Sequence, residues 1–198
     1  MQLSIKNEQT SVKSQMPHHS IEGLLLDHVT VVSLKPQQKF EALFRANIIL
    51  ASPAFQKLNN FDLAKRAHNT RLAMLTELAC SIATGLSCQV GDPFTGDLEG
   101  GIEIRTSDLQ DGGLVVRRTD KLHRPFIFCT PMSIQGNEFG LDYCIWGWMT
   151  GDHIIKNGKQ MGDEKYPFWV MDRTQLWPIG GLMLQYHLQS LEQMGYKL

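Results

Sequence analysis

The sequence predicts one mixed domain, α+β or α/β, built on a mixed β-sheet. Three observations carry that prediction. Apolar residues recur at helical spacing before Leu86 and again near the C-terminus. Between them, from Ile102 to Ile179, short apolar runs read as strands separated by turn residues. The 198 residues suit one domain better than two, and a hydrophobic content of 42% supplies a real core.

The helices follow from spacing and caps. A first helix begins near Pro36, a residue tolerated at the first helical position, with Ser33 upstream as a candidate cap. Phe40, Leu43, Phe44 and Ile48 form its packing stripe, and Pro53 ends it. A second helix runs from about Asp62 to Leu86, with Asn60 as candidate cap. Its apolar stripe is Leu75, Leu78, Ala79, Ile82 and Leu86. The other face carries the small residues Ala73, Cys80, Ser81 and Thr84 around Glu77. Such a face can pack as well, leaving Glu77 half-buried and in need of a cation or metal. Glu77 on an exposed, solvated face is the equal alternative. Gly85 or the stretch after Leu86 stops the helix. Leu184, Leu188 and Leu191 predict a docked terminal helix.

Residues 1–20 read as a polar, mobile tail, and 21–198 as the domain. Ile21 to Val32 reads as an extended segment or short strand. Gly91, Asp92, Pro93 and Gly96 mark a turn-rich connection. Asp111-Gly112-Gly113 predicts a hairpin turn into the strand Leu114–Arg117. Pro125–Cys129, Tyr143–Met149 and Phe168–Met171 are further strands, and Leu176–Ile179 closes the sheet. Gly151–Lys165 reads as a polar loop with a turn at Asn157-Gly158.

Composition narrows the function. A formal net charge of −1 gives no global field toward nucleic acid, so such binding requires a local patch. Arg105, Arg117, Arg118, Lys121, His123 and Arg124 supply a candidate. The same residues also read as charges guarding a sheet edge. Cys80, Cys88, Cys129 and Cys144 lack metal-ligand spacing and read as reduced thiols in a cytosolic setting. No apolar run reaches membrane-spanning length, and no secretory segment opens the chain, so a cytoplasmic protein is expected. The chain has no P-loop, nucleophile elbow, dinucleotide fingerprint or HExxH. Trp146 and Trp148 read as core rather than as base-stacking residues.

The chemistry concentrates between Asp97 and Arg105. Ile102 and Ile104 alternate with Glu103 and Arg105, so the apolar pair faces one side and the charged pair the other. Gly100 and Gly101 permit a bend or a close backbone approach. Spacing alone favours a solvated edge strand. The same residues, with Asp97 upstream, can hold a divalent metal beside a phosphate.

The order of these pieces resembles a known family. Glu77 lies on a helix before Asp97, followed by Glu103-Ile104-Arg105-Thr106, Leu114-Val115-Val116-Arg117 and Asp120. Phe126-Ile127-Phe128, Trp146-Gly147-Trp148, Val170 and Leu176-Trp177-Pro178-Ile179 complete the succession. From roughly Leu34 to Ile179 this resembles small phage and environmental proteins of the PD-(D/E)xK, restriction-endonuclease-like superfamily. The resemblance implies a central mixed sheet flanked by helices and Mg²⁺- or Mn²⁺-dependent hydrolysis of DNA. It implies Asp97 and Glu103 as metal ligands and Glu77 as an auxiliary carboxylate. Arg105 falls in the lysine position. Arginine keeps its proton, so it can orient water or grip a phosphate but cannot act as a base. Asp92 and Glu99 compete with Asp97 as first acid. Arg117, Arg118, Lys121 and Arg124 would bind the nucleic acid. By analogy a homodimer would cut both strands. The alternatives are a non-catalytic nucleic-acid- or protein-binding member of the fold, or a viral structural protein.

Overall fold

The computed structural model describes residues 29–56, 63–89, 96–108, 112–135 and 138–194. The expected tail, residues 21–28 of the following segment, the 60–62 helix start, the turn at 91–93 and the 109–111 turn lie outside these.

The first strand, β1 (Thr30–Ser33), leads into α1 (Pro36–Ala51), the short α2 (Pro53–Gln56) and α3 (Leu63–Thr84). Then follow β2 (Glu103–Thr106), β3 (Leu114–Arg117), β4 (Pro125–Pro131), β5 (Ile134–Gln135), β6 (Glu138–Phe139) and β7 (Asp142–Thr150). The chain ends through α4 (Gly151–Asn157), β8 (Lys159–Met161), β9 (Phe168–Met171), a 3-10 turn at Arg173–Gln175 and α5 (Ile179–Gln193).

The main sheet has the order β1-β7-β4-β2. It is mixed: β2 runs parallel to β4, while β4–β7 and β7–β1 are antiparallel. Helix α3 packs on it, and α1 packs on α3. A second sheet, β3-β9-β8, is antiparallel. Strand β3 therefore does not form the expected hairpin with β2; its partner is β9, with Val115 opposite Val170. The hairpin signal was local, whereas β2 found a parallel partner in β4.

Two cores result, one on each side of the main sheet. Leu75, Ala79, Cys80, Ile104, Ile127, Cys129 and Ile145 join α3 to the sheet. Phe126, Phe128, Met149, Trp169 and Met171 join the sheet to the smaller one. Both faces of β4 are thus buried, which explains its continuous apolar run. Each of its large side chains stabilises the fold by roughly 1.5–3 kcal/mol.

Alternation along β7 changes phase at Gly147. Tyr143 and Ile145 enter the first core, and a register shift opposite Phe128 and Cys129 then puts Trp148 there and Met149 in the second. Gly147 has φ +143°, and a Cβ there would stand 2.5 Å from the Trp177 carbonyl oxygen. Trp148 is buried as expected. Trp146 is half-buried, with the Arg173 guanidinium 4.2 Å above its ring.

Several helical expectations are corrected. Lys35, not Ser33, caps α1, and its N–H donates to Gln38 Oε1 at 2.8 Å. Ser33 instead donates to Asp142 Oδ1 at 2.5 Å and ties β1 to β7. The buried face of α1 is Ala42 and Ala46, while Phe40, Phe44 and Ile48 are 69%, 57% and 58% exposed. Small residues allow α1 to sit close on α3, which turns the large apolar stripe outward. On α3, Ile82 is exposed, and the buried face includes Thr76, Cys80 and Thr84. Helix α5 docks through Leu182, with Met183 and Tyr186 half-buried, while Leu184 and Leu188 are exposed. Residues 151–165 are not all loop. Thr150 Oγ1 accepts from the His153 N–H at 3.4 Å and starts α4, and buried Ile154 anchors it. None of the described helices is long and apolar enough to cross a membrane.

Candidate functional site

Three acids from three segments line one cavity. Helix α3 carries Glu77, the turn after it carries Asp97, and β2 carries Glu103. All three line a cavity of about 670 Å³, whose opposite wall is α1 with Arg45, Ile48 and Ile49. Its size lies within the usual range for small-molecule and substrate pockets.

Local backbone chemistry fixes Asp97. Its N–H and that of Leu98 both donate to the Ile102 carbonyl, at 2.9 and 3.0 Å, closing a tight loop over residues 98–102. Gly100 and Gly101 adopt φ of +81° and +75°, as the loop requires. Asp97 Oδ2 then accepts from the Ile104 N–H at 2.6 Å, so the carboxylate caps the free edge of β2. Glu99 does not line the cavity, and its charge acts instead on Tyr186 of α5. Of the two competitors for first acid, Glu99 is therefore separated from Glu77 and Glu103, and Asp92 lies outside the described residues.

The small-residue face of α3 does pack, and Glu77 is half-buried. Burial, and then the negative charge of Asp97, push its carboxyl up to about 8. Asp97 is itself raised by burial, against the lowering effect of the Ile104 N–H, with Glu103 adding repulsion. Among the described residues no hydrogen bond or ion pair reaches the Glu77 carboxyl. Glu77 therefore keeps its proton at neutral pH beside Asp97.

Glu103 is engaged. Its Oε1 lies 2.6 Å from Arg124 Nη1, and its Oε2 lies 3.6 Å from Arg105 Nη1. Arg105 also reaches Asp120 Oδ2 at 3.1 Å and lies 5.0 Å over the Phe126 ring. Asp120 Oδ2 accepts the Arg117 N–H at 2.8 Å. The expected basic rim is thus divided. Arg105 and Arg124 are drawn into the acidic cluster, while Arg117, Arg118 and His123 are exposed. Arg118 lies 5.9 Å over Trp169 of the second sheet, and Lys121 is half-buried.

The donor set is all carboxylate oxygen, which suits a hard divalent cation. Among the described residues, no three histidine, cysteine or acidic side chains stand close enough together to hold a metal. All four cysteines are free thiols. Cys80 and Cys129 are buried together, and burial raises Cys80 further.

Sequence reasoning missed Arg45, because the strong apolar stripe of α1 drew the reading toward packing. Its signal was the pair Glu41 and Arg45 at helical spacing beside that stripe. Comparison with models of known protein families, with curated proteins and with solved structures finds no match to this chain.

Proposed function

We propose that this chain is a metal-dependent phosphodiesterase acting on DNA, on a restriction-endonuclease-like core. The convergence of Glu77, Asp97 and Glu103 on one cavity carries the reading. Local sequence does not require a helix, a turn and a strand to aim acids at one space. A cation beside Glu77 and Asp97 would favour the ionised form of both carboxyls.

In this reading Asp97 and Glu103 would hold Mg²⁺ or Mn²⁺, with Glu77 as the auxiliary carboxylate. A divalent ion held there would supply an activated water and charge neutralisation on the phosphate. Asp97 is kept in place by the Ile104 N–H. Arg105, already beside Glu103, positions a phosphate oxygen or the attacking water rather than taking a proton. Arg124 offsets the Glu103 charge until substrate arrives. Arg117 and Arg118 extend the contact to flanking phosphates.

A second reading is favoured by one observation. Glu103 already pairs with two arginines, which is also how a non-catalytic protein would neutralise a retained acid. Such a chain would bind nucleic acid or a protein partner without cutting.

The deciding experiment is a cleavage time course on plasmid and single-stranded DNA with Mg²⁺, Mn²⁺ or EDTA. Metal-dependent nicking that Glu103→Ala abolishes is the expected result. A folded parent that cuts neither substrate with either metal overturns hydrolysis in favour of binding.

A further inference from the structure

The loop that fixes Asp97 also borders a second cavity. Gly100, Gly101 and Ile102 line a space of about 430 Å³ between α5 and the connection from β3 to β4. That volume suits a small ligand. Its charge is opposite to that of the acidic cavity: Arg124 and His123 line it, and no carboxylate does. Glu99 acts on Tyr186 but lines neither cavity. Arg124 stands between the two cavities. Its Nη1 lies 2.6 Å from Glu103 of the first, and the residue lines the second. A planar guanidinium with five donors can serve a carboxylate and a phosphate together. Backbone bonds hold these cationic residues in place. The Arg124 N–H donates to the Lys121 carbonyl at 2.9 Å, and the Arg124 and Leu122 carbonyls accept from the Gly151 and Asp152 N–H groups at 3.3 and 2.8 Å.

Helix α5 supplies the facing wall in an unusual way. Leu182, Gln185, Tyr186 and Gln189 follow at helical spacing and line the cavity. Leu184 and Leu188 face water instead, at 62% and 39% exposed. The helix thus presents two amides to the cavity and two leucines away from it, which packing alone would reverse. Neither amide makes a hydrogen bond among the described residues. A glutamine amide carries a donor and an acceptor in one plane, as the edge of a nucleobase requires. Tyr186 and Trp148 add ring surface. Trp148 Nε1 donates to the Pro178 carbonyl at 3.1 Å, so its share of the lining is apolar. Gly100 admits Tyr186 to the loop, since a Cβ there would stand 2.6 Å from Tyr186 Cε2.

We infer that this second cavity binds one nucleotide, with Arg124 and His123 holding the phosphate and Gln185 and Gln189 reading the edge of the base. The inference goes beyond the hydrolysis reading and does not depend on it. A free nucleotide and the end of a strand present the same chemistry.

The test is isothermal titration calorimetry of the full chain in neutral buffer with EDTA. The probes are thymidine 5′-monophosphate, thymidine and inorganic phosphate. The expected result is one nucleotide per chain, with thymidine and phosphate each at least about tenfold weaker because each lacks one set of contacts. Gln185→Ala/Gln189→Ala weakens the nucleotide by about tenfold or more and leaves inorganic phosphate unchanged. Both positions are exposed and alanine favours a helix, so this variant should melt like the parent. Arg124→Gln weakens nucleotide and phosphate alike by about tenfold or more. If Arg124→Gln does not fold, the amide variant decides alone. A 5′-phosphorylated oligothymidine that binds at least as tightly as the mononucleotide assigns the cavity to a strand end, and weaker binding assigns it to the free nucleotide.

Parent-like nucleotide affinity in the amide variant overturns the inference. So does inorganic phosphate that binds as tightly as the nucleotide, which leaves an anion site only. Absence of binding at millimolar nucleotide overturns it outright. Cleavage enters no arm. A chain that binds as expected but cuts no DNA sinks the hydrolysis reading alone, and a chain that cuts but binds no nucleotide here sinks the second site alone.

Discussion

Replacing Glu77 by glutamine should stabilise the fold at neutral pH, because the native carboxyl sits where ionisation is penalised. Burial and the Asp97 charge raise it from 4.5 to about 8. The folded protein holds this proton up to about pH 8, whereas the unfolded side chain releases it above 4.5. The stability associated with the neutral carboxyl is complete below pH 4.5 and drains as pH rises toward 8. At about 1.4 kcal/mol per pH unit, the loss is about 3 kcal/mol at pH 7 and about 5 kcal/mol above pH 8. Relaxation and water entry lower these figures, so a gain of about 1.5–3 kcal/mol for Glu77→Gln at pH 7 is expected. For a chain of this length that raises Tm by about 3–12 °C. Urea denaturation of parent and variant from pH 4 to pH 9 measures it directly. The curves should converge at pH 4 and separate as pH rises. Curves that stay parallel across that range would refute the argument, because they would show that Glu77 ionises alike in both states.

Other outcomes follow from the same geometry. Arg124→Ala leaves Glu103 without its 2.6 Å partner at a site where the two side chains are 12% and 18% exposed. A loss of about 2 kcal/mol is expected, read from urea midpoints, and the conservative Arg124→Lys should restore part of it. Gly96→Ala should be more damaging. Gly96 has φ +94°, and a Cβ would stand 2.7 Å from the Gly101 backbone, so the turn that fixes Asp97 must shift. A fall of at least about 2 kcal/mol in stability is expected, with loss of any metal-dependent cleavage. Gly85→Ala, at φ +73° but with open space around it, should cost less, about 1 kcal/mol by the same denaturation.

The sequence by itself determined the elements with local signatures. Pro36 and Pro53 bracketed α1, continuous apolar runs marked β4 and β7, and Phe168–Met171 marked β9. It also raised the half-buried Glu77, because the small residues around it permitted a second packed face. These signals are periodicities and caps, which depend on residues within a turn or two. Tertiary structure decided the pairing of β2 with β4 and of β3 with β9, which no local turn signal encodes. It decided that Ala42 and Ala46 face inward on α1 while Phe40 and Phe44 face water. A helix of two possible faces is resolved by the neighbour that can approach closest, and small side chains admit α3 closer than phenyl rings do. It also decided that Arg105 and Arg124 meet Glu103, while Arg117 and Arg118 remain outside the cluster. Closeness in sequence put all four arginines in one patch. Placement divided them, because Arg105 and Arg117 lie on strands of two different sheets and Arg118 and Arg124 lie in the connection between β3 and β4.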